Sequence, residues 1–139
     1  MSDYLETPIN LNQINENISK LVLIMEQLRK KEGGCDWDLQ QTYETIAPYT
    51  IEEAYEVVEA IYDSDMDKLC DELGDLLLQV IFHSQIARER GDFQLQDVIS
   101  AVCEKMIRRH PHIFGEIENK NVLEIRRTWE DIKQLEREQ

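Results

Sequence analysis

The sequence is poor in the residues that interrupt helices. Among its 139 residues only five are glycine and three proline, while Leu, Ile, Glu and Gln are plentiful, a balance that favours helix. Cysteine is scarce too. Cys35, Cys70 and Cys103 are odd in number and widely spaced, with no C-x-x-C pair, which excludes a disulfide framework or a cysteine zinc site and fits reduced cytosolic thiols. Positive charge is in short supply. Fifteen Lys and Arg face 29 Asp and Glu, for a formal net charge of −14. Such a chain is unsuited to nucleic-acid phosphates or an anionic membrane surface, and neither is expected as a partner. No apolar run is long enough to span a bilayer, and MSDYLETPIN lacks the basic and apolar regions of a secretion signal. A cytoplasmic location is expected.

What is present is helical periodicity. Residues 1–9 read as a loose leader, and residues 10–139 as one domain of ordinary size. Leu11, Ile14, Ile18, Leu21, Met25 and Leu28 recur at helical spacing to about Lys31, where Gly33-Gly34 is expected to stop the helix. The segment from Cys35 to Thr50 reads as a loop with one short helical turn, closed by Pro48. A second helix is expected from Ile51 to Tyr62, and a third from about Met66 to Glu89, capped by Ser64 or Asp65 and ended by Gly91. The third is apolar nearly all round its centre, LLLQVIF, so a partner subunit is expected to cover one side. Gly74 within it weakens the helix and implies close helix approach or room for a ligand. A fourth helix carries Leu95, Val98, Val102 and Met106 and stops before Pro111; a fifth, capped by Asn121, carries Val122, Ile125, Trp129 and Ile132. The pattern is an all-α bundle of about five helices, with no strand alternation.

The acids between Thr50 and Asp75 form the strongest feature. Glu53 and Glu56 share one helix face, as do Glu72 and Asp75, and apolar residues surround them. Grouped carboxylates beside a core repel one another unless a cation balances them. Hard oxygen donors from two helices suit Mg²⁺, with Mn²⁺ as a substitute. An ordinary structural account covers part of this: Thr50-x-x-Glu53 fits a capping box, and Glu52 and Glu53 would complement a helix dipole. It does not cover Glu56, Glu72 or Asp75.

Lys105, Arg108 and Arg109 gather positive charge at the end of the fourth helix. They complement that helix's dipole or neutralise phosphate oxygens, and the sequence leaves both open. Trp37 either packs its loop onto the bundle or walls a nucleobase. His110 and His112 lack a third ligand for zinc. There is no P-loop, and no histidine lies three residues after a glutamate, as a di-iron bundle would need. A carboxylate cage plus basic side chains is the minimal kit for attacking a phosphoanhydride.

Glu52-Glu53-x-x-Glu56, fifteen residues, then Glu72-x-x-Asp75 resembles the EExxE…ExxD signature of the all-α nucleoside triphosphate pyrophosphohydrolases. The likeness to the MazG branch is closer still: GCDWDLQQT, IAPYTIEEAYEVVEAI, DELGDLLLQVIFH, KMIRRHPHIFG and WEDIKQLE follow its pattern in order, from about Leu21 to Glu136. The resemblance implies Mg²⁺-dependent cleavage of NTPs and dNTPs to a nucleoside monophosphate and pyrophosphate, as a house-cleaning activity, by a homodimer or larger homo-oligomer. It implies Glu53, Glu56, Glu72 and Asp75 as metal ligands and Glu52 as the residue that orients or deprotonates water. Lys68, Lys105, Arg109 and, beside it, Arg108 match phosphate-contacting positions; Trp129 and Lys133 match positions near the nucleotide. Three residues depart from the pattern. Asp36 replaces a proline, and Leu39 and Tyr49 stand where lysines are common. The chain is most similar to the first unit of two-domain members, a copy that is weak or silent in some of them, so a non-catalytic module that dimerises and binds nucleotide is the alternative.

Overall fold

The computed structural model describes residues 7–116, 118 and 121–139. Most of the expected leader lies outside the described residues. Among those described, every regular element is an α-helix: α1 (Leu11–Leu28), α2 (Asp36–Gln40), α3 (Tyr43–Tyr62), α4 (Met66–Arg90), α5 (Leu95–Arg109), α6 (Pro111–Phe114) and α7 (Val122–Arg137). The expected five long helices are present, and two short ones join them. The chain divides into two compact units at Gln94/Leu95.

In the first unit α4 packs against both α1 and α3. Asn10 caps α1 through its Oδ1, 3.0 Å from the Gln13 amide. α1 ends at Leu28, short of the expected Lys31, with Arg29 as its C-cap, its backbone N–H still on the Met25 carbonyl at 3.2 Å. Its guanidinium makes a two-pronged contact with Glu89 at 2.8 and 3.0 Å and donates to the carbonyls of Asp38 and Gln41. One side chain thus joins the ends of α1 and α4 to the Trp37 segment. Gly33 serves the turn that follows, at φ +77°.

α3 begins eight residues before the expected Ile51. Thr42 and Thr45 form a capping box, each hydroxyl accepting from the other's backbone N–H at 3.3 and 2.8 Å. That local stabilisation outweighs Pro48, which lies inside the helix and forfeits one bond to the carbonyl of Glu44. Both residues are exposed, so water can serve the orphaned carbonyl. The expected Thr50–Glu53 capping box is therefore absent; Thr50 lies mid-helix.

The short turn Asp63–Asp65 reverses the chain into α4, making α3 and α4 an antiparallel hairpin. Asp65, not Ser64, caps α4, with its Oδ1 3.1 Å from the Lys68 amide. Ser64 takes the left-handed conformation at φ 54°. Gly91 ends α4 at φ +78°, with the Asp92 amide returning to the Ala87 carbonyl at 2.9 Å. The core of this unit is Met25, Ile46, Ala60, Ile81, Phe82, Ile86 and Ala87.

In the second unit α5 packs against α6 and α7. Pro111 does stop α5, but it then starts the one-turn α6, where its fixed φ and missing N–H suit the first helical position. Asn121 caps α7 as expected, its Oδ1 2.9 Å from the Glu124 amide. No helix among the described residues is long and apolar enough to cross a membrane.

Candidate active site

Glu53 and Glu56 lie on α3, on the stripe that includes Ile46, Thr50 and Ala60 and faces α4. Glu72 and Asp75 lie on the first half of α4, two turns and one turn before the buried Gln79. The antiparallel pairing brings one carboxylate oxygen from each of Glu53, Glu72 and Asp75 within 4.8 Å of one another. Glu56 stands outside that trio, yet its charge acts on both Glu53 and Glu72. Glu52 is exposed beside Glu53.

The electrostatics are those of mutually repelling carboxylates. Partial burial, then the charges of Asp75, Glu72, Glu52 and Glu56, hold the Glu53 carboxyl above its ordinary range. Glu72 is also raised, by desolvation and then by Glu56, Asp75 and Asp71, with Lys68 in partial opposition. Lys68 does not close onto the acids; its Nζ lies 3.8 Å from Glu59 and 3.7 Å from Asp63. Oxygen-only donors, crowded and without an ion pair to Glu53, Glu72 or Asp75 among the described residues, fit a hard divalent ion.

Trp37 lies on α2, half exposed, its ring edge against Tyr49 with centroids 5.9 Å apart and planes at 79°. The two residues singled out by sequence for different reasons are thus neighbours. Gly74, between Glu72 and Asp75, opens onto free space, and a Cβ there would meet nothing within 4 Å. The close helix approach expected at this glycine does not occur among the described residues.

The basic candidates of the second unit are organised around a residue that the sequence reading passed over. Glu136 accepts from Arg108 Nε at 2.6 Å and from Arg109 Nη2 at 2.8 Å. Both arginines, Arg109 first, hold the Glu136 carboxyl below its usual range. The Arg109 guanidinium also lies 5.4 Å from the Trp129 ring centre, and His110 meets the same ring edge-on at 5.0 Å. Lys105 is half-buried on α5, and Lys133 half-buried on α7, one turn after Trp129. The spacing Trp129, Ile132, Glu136 on one helical face was the available signal for Glu136.

Thr50, expected as a helix cap, instead bridges two helices. Its hydroxyl lies 3.0 Å from Gln79 Oε1 and 2.9 Å from His83 Nε2, across the α3–α4 interface. A lone glutamine within LLLQVIF was the clue, since a buried amide needs a partner.

Comparison with known proteins places the chain in a family. Residues 41–114 match the family model described as MazG nucleotide pyrophosphohydrolase domain. A nucleoside triphosphate pyrophosphohydrolase of Escherichia coli K12 is 50% identical over 122 residues, covering 88% of this chain and 46% of that protein. Nucleoside triphosphate pyrophosphohydrolase/pyrophosphatase MazG of Thermotoga maritima is 53% identical over 118 residues, covering 85% of this chain and 44% of the relative. The chain thus spans about half the length of these curated relatives. A crystal structure of a mazG-related protein from Thermotoga maritima superposes with a TM-score of 0.68 at 30% identity, covering 84% of this chain and 98% of the other.

Proposed function

Because the chain belongs to the MazG nucleotide pyrophosphohydrolase domain family, we propose that it hydrolyses nucleoside triphosphates to a nucleoside monophosphate and pyrophosphate. The observation that carries this reading is the meeting of Glu53, Glu72 and Asp75 from two helices. Glu53, Glu56, Glu72 and Asp75 would hold Mg²⁺, or Mn²⁺ in its place. When bound, such an ion supplies positive charge to phosphate oxygens and acidity to a nearby water. Glu52, at the edge of the cluster, orients that water or takes its proton. Water oxygen adds to the α-phosphorus, and the α–β bridging oxygen leaves with the pyrophosphate.

Lys68, Lys105, Arg108 and Arg109 are the proposed phosphate contacts. Glu136 preorganises the two arginines in the free protein, and a phosphate would compete with it for their N–H groups. Trp37, Trp129 and Lys133 are proposed to lie along the nucleoside. A second copy of the chain is the proposed partner. Ile51, Tyr55, Val58 and Tyr62 form one exposed apolar stripe on α3, and Leu73, Leu77 and Val80 expose another on α4. A broad substrate range over NTPs and dNTPs, a house-cleaning role and a cytoplasmic location complete the proposal.

The test is a panel of NTPs and dNTPs incubated with Mg²⁺ and the chain, with products identified. Pyrophosphate and monophosphate are expected, and orthophosphate release or no turnover at all would count against the reading. The alternative, a silent module that dimerises and binds nucleotide, draws on Tyr49 and Leu39, which stand where the resemblance expects lysines; the Tyr49 ring packs against Trp37. It predicts nucleotide binding or dimerisation unaffected by Glu53→Gln, with no turnover above buffer.

A further inference from the structure

We propose that Thr50 is a positioning residue of the acidic site: with Gln79 and His83 it locks the register of α3 against α4, and so the placing of Glu53 opposite Glu72 and Asp75. The inference rests on the metal site proposed above.

A hydroxyl has one hydrogen to give. Thr50 donates to Gln79 Oε1 at 3.0 Å and accepts from His83 Nε2–H at 2.9 Å. The carbonyl of Ile46, which a mid-helix threonine ordinarily engages, is farther, at 3.4 Å. The shorter contacts of the hydroxyl are thus to the neighbouring helix and the longer one to its own. Gln79 is 8% exposed, in the row of α4 that continues into Ile81, Phe82 and Ile86. A leucine there would pack without conditions, whereas a buried amide is tolerated only with its partner in place. A one-turn slide of α3 along α4 in one direction would set the apolar Ile46 opposite Gln79 and leave the amide without a partner; in the other it would set Glu53 there and take that carboxylate out of the trio. The polar pair therefore selects one register where apolar packing alone accepts several.

The location makes that selection matter for chemistry. Thr50 is one turn before Glu53 on α3, and Gln79 one turn after Asp75 on α4. The Thr50–Gln79 rung is thus the next contact along the hairpin from the carboxylate trio. The acids repel one another, so the trio cannot hold itself together, and the neighbouring rung resists their separation. Side chains that orient ligands without touching the ion typically change metal affinity by about ten- to a hundredfold when removed.

The experiment measures the Mn²⁺ dissociation constant of the chain by calorimetry, for the wild type, Thr50→Val, Thr50→Ser and Gln79→Met, with circular dichroism and thermal melting recorded in the absence of metal. Thr50→Val and Gln79→Met keep the interface packed but remove the rung, and each is expected to weaken Mn²⁺ binding about tenfold or more with helical content retained. Thr50→Ser keeps the hydroxyl and is expected to restore affinity to within about threefold of wild type. Equal Mn²⁺ affinity in wild type, Thr50→Val and Gln79→Met overturns the inference, as does a Thr50→Ser chain no better than Thr50→Val. Loss of the helical fold in both Thr50→Val and Gln79→Met also overturns it, in favour of a purely structural pair. A wild-type chain that binds no Mn²⁺ instead overturns the metal reading beneath it.

Discussion

The two units treat burial and charge in opposite ways. Every buried residue among those described lies in the first unit, on α1, α3 or α4. The second unit has amphipathic helices but no buried residue among those described; Ile99, Val102, Ile107 and Leu135 remain exposed. In the first unit three carboxylates are brought together beside the core. In the second, two arginines share the carboxylate of Glu136. The contrast teaches where each unit stores unsatisfied interaction. A well-packed hairpin can hold like charges close, because packing on either side resists their separation. In the second unit the candidate arginines are neutralised locally by Glu136, as Arg29 is by Glu89 in the first.

The largest effect expected from breaking this contrast is chemical. Glu72→Gln removes a donor from the trio and should lower pyrophosphate release at least about a thousandfold. A pyrophosphate assay on variant and wild type decides it; a variant within tenfold of wild type places the chemistry elsewhere.

Truncating apolar side chains separates the units next. Ile86→Ala, in the buried row of α4, should cost about 2–5 kcal/mol in denaturant unfolding. Leu135→Ala, 61% exposed on α7, should stay within about 0.5 kcal/mol. A cost above about 2 kcal/mol at Leu135 would mean that this face is covered in solution.

Acidity sharpens the comparison further. Glu53 and Glu72 are raised above the ordinary value of 4.5, so the folded chain holds their protons more tightly than the unfolded one. Without metal, their contribution to stability should fall as pH rises above 4.5, and Mn²⁺ should bind more tightly over the same rise because it competes with those protons. Glu89 and Glu136 act with the opposite sign. Burial pushes Glu89 upward, but hydrogen bonds from Arg29 and Gln85 and nearby arginine charge bring it below 4.5; Glu136 is lowered by Arg109 and Arg108. Their contribution is present above 4.5 and is lost as pH falls through their depressed values. Glu53→Gln should therefore raise the metal-free Tm at neutral pH, and Glu136→Gln lower it. Thermal melts of both variants over a pH series check the two signs.

The smallest effect concerns Gly74. Because a methyl group at this position would meet nothing within 4 Å, Gly74→Ala should stabilise the isolated chain by about 0.5–1 kcal/mol. Thermal melts measure the gain. If the stabilised variant loses dimerisation or nucleotide binding, the open space beside the acids belongs to a partner or a ligand.

Sequence by itself determined what is local. Sparse glycine and proline and the helical spacing of apolar residues dictated an all-α chain, and Asp65, Gly91 and Asn121 marked helix ends because capping acts within one turn. The spacing of Glu53, Glu56, Glu72 and Asp75 also told which acids share a face. It misjudged the start of α3, since the disfavour of Pro48 is visible in a sequence while the Thr42–Thr45 box that outweighs it shows only as two threonines. Tertiary structure alone decided which partner each polar side chain meets. Thr50 reaches Gln79 rather than a helix end, and Arg108 and Arg109 meet Glu136. Those contacts join residues 29, 28 and 27 positions apart, and their energy depends on how two helices pack, a distance over which no local preference acts.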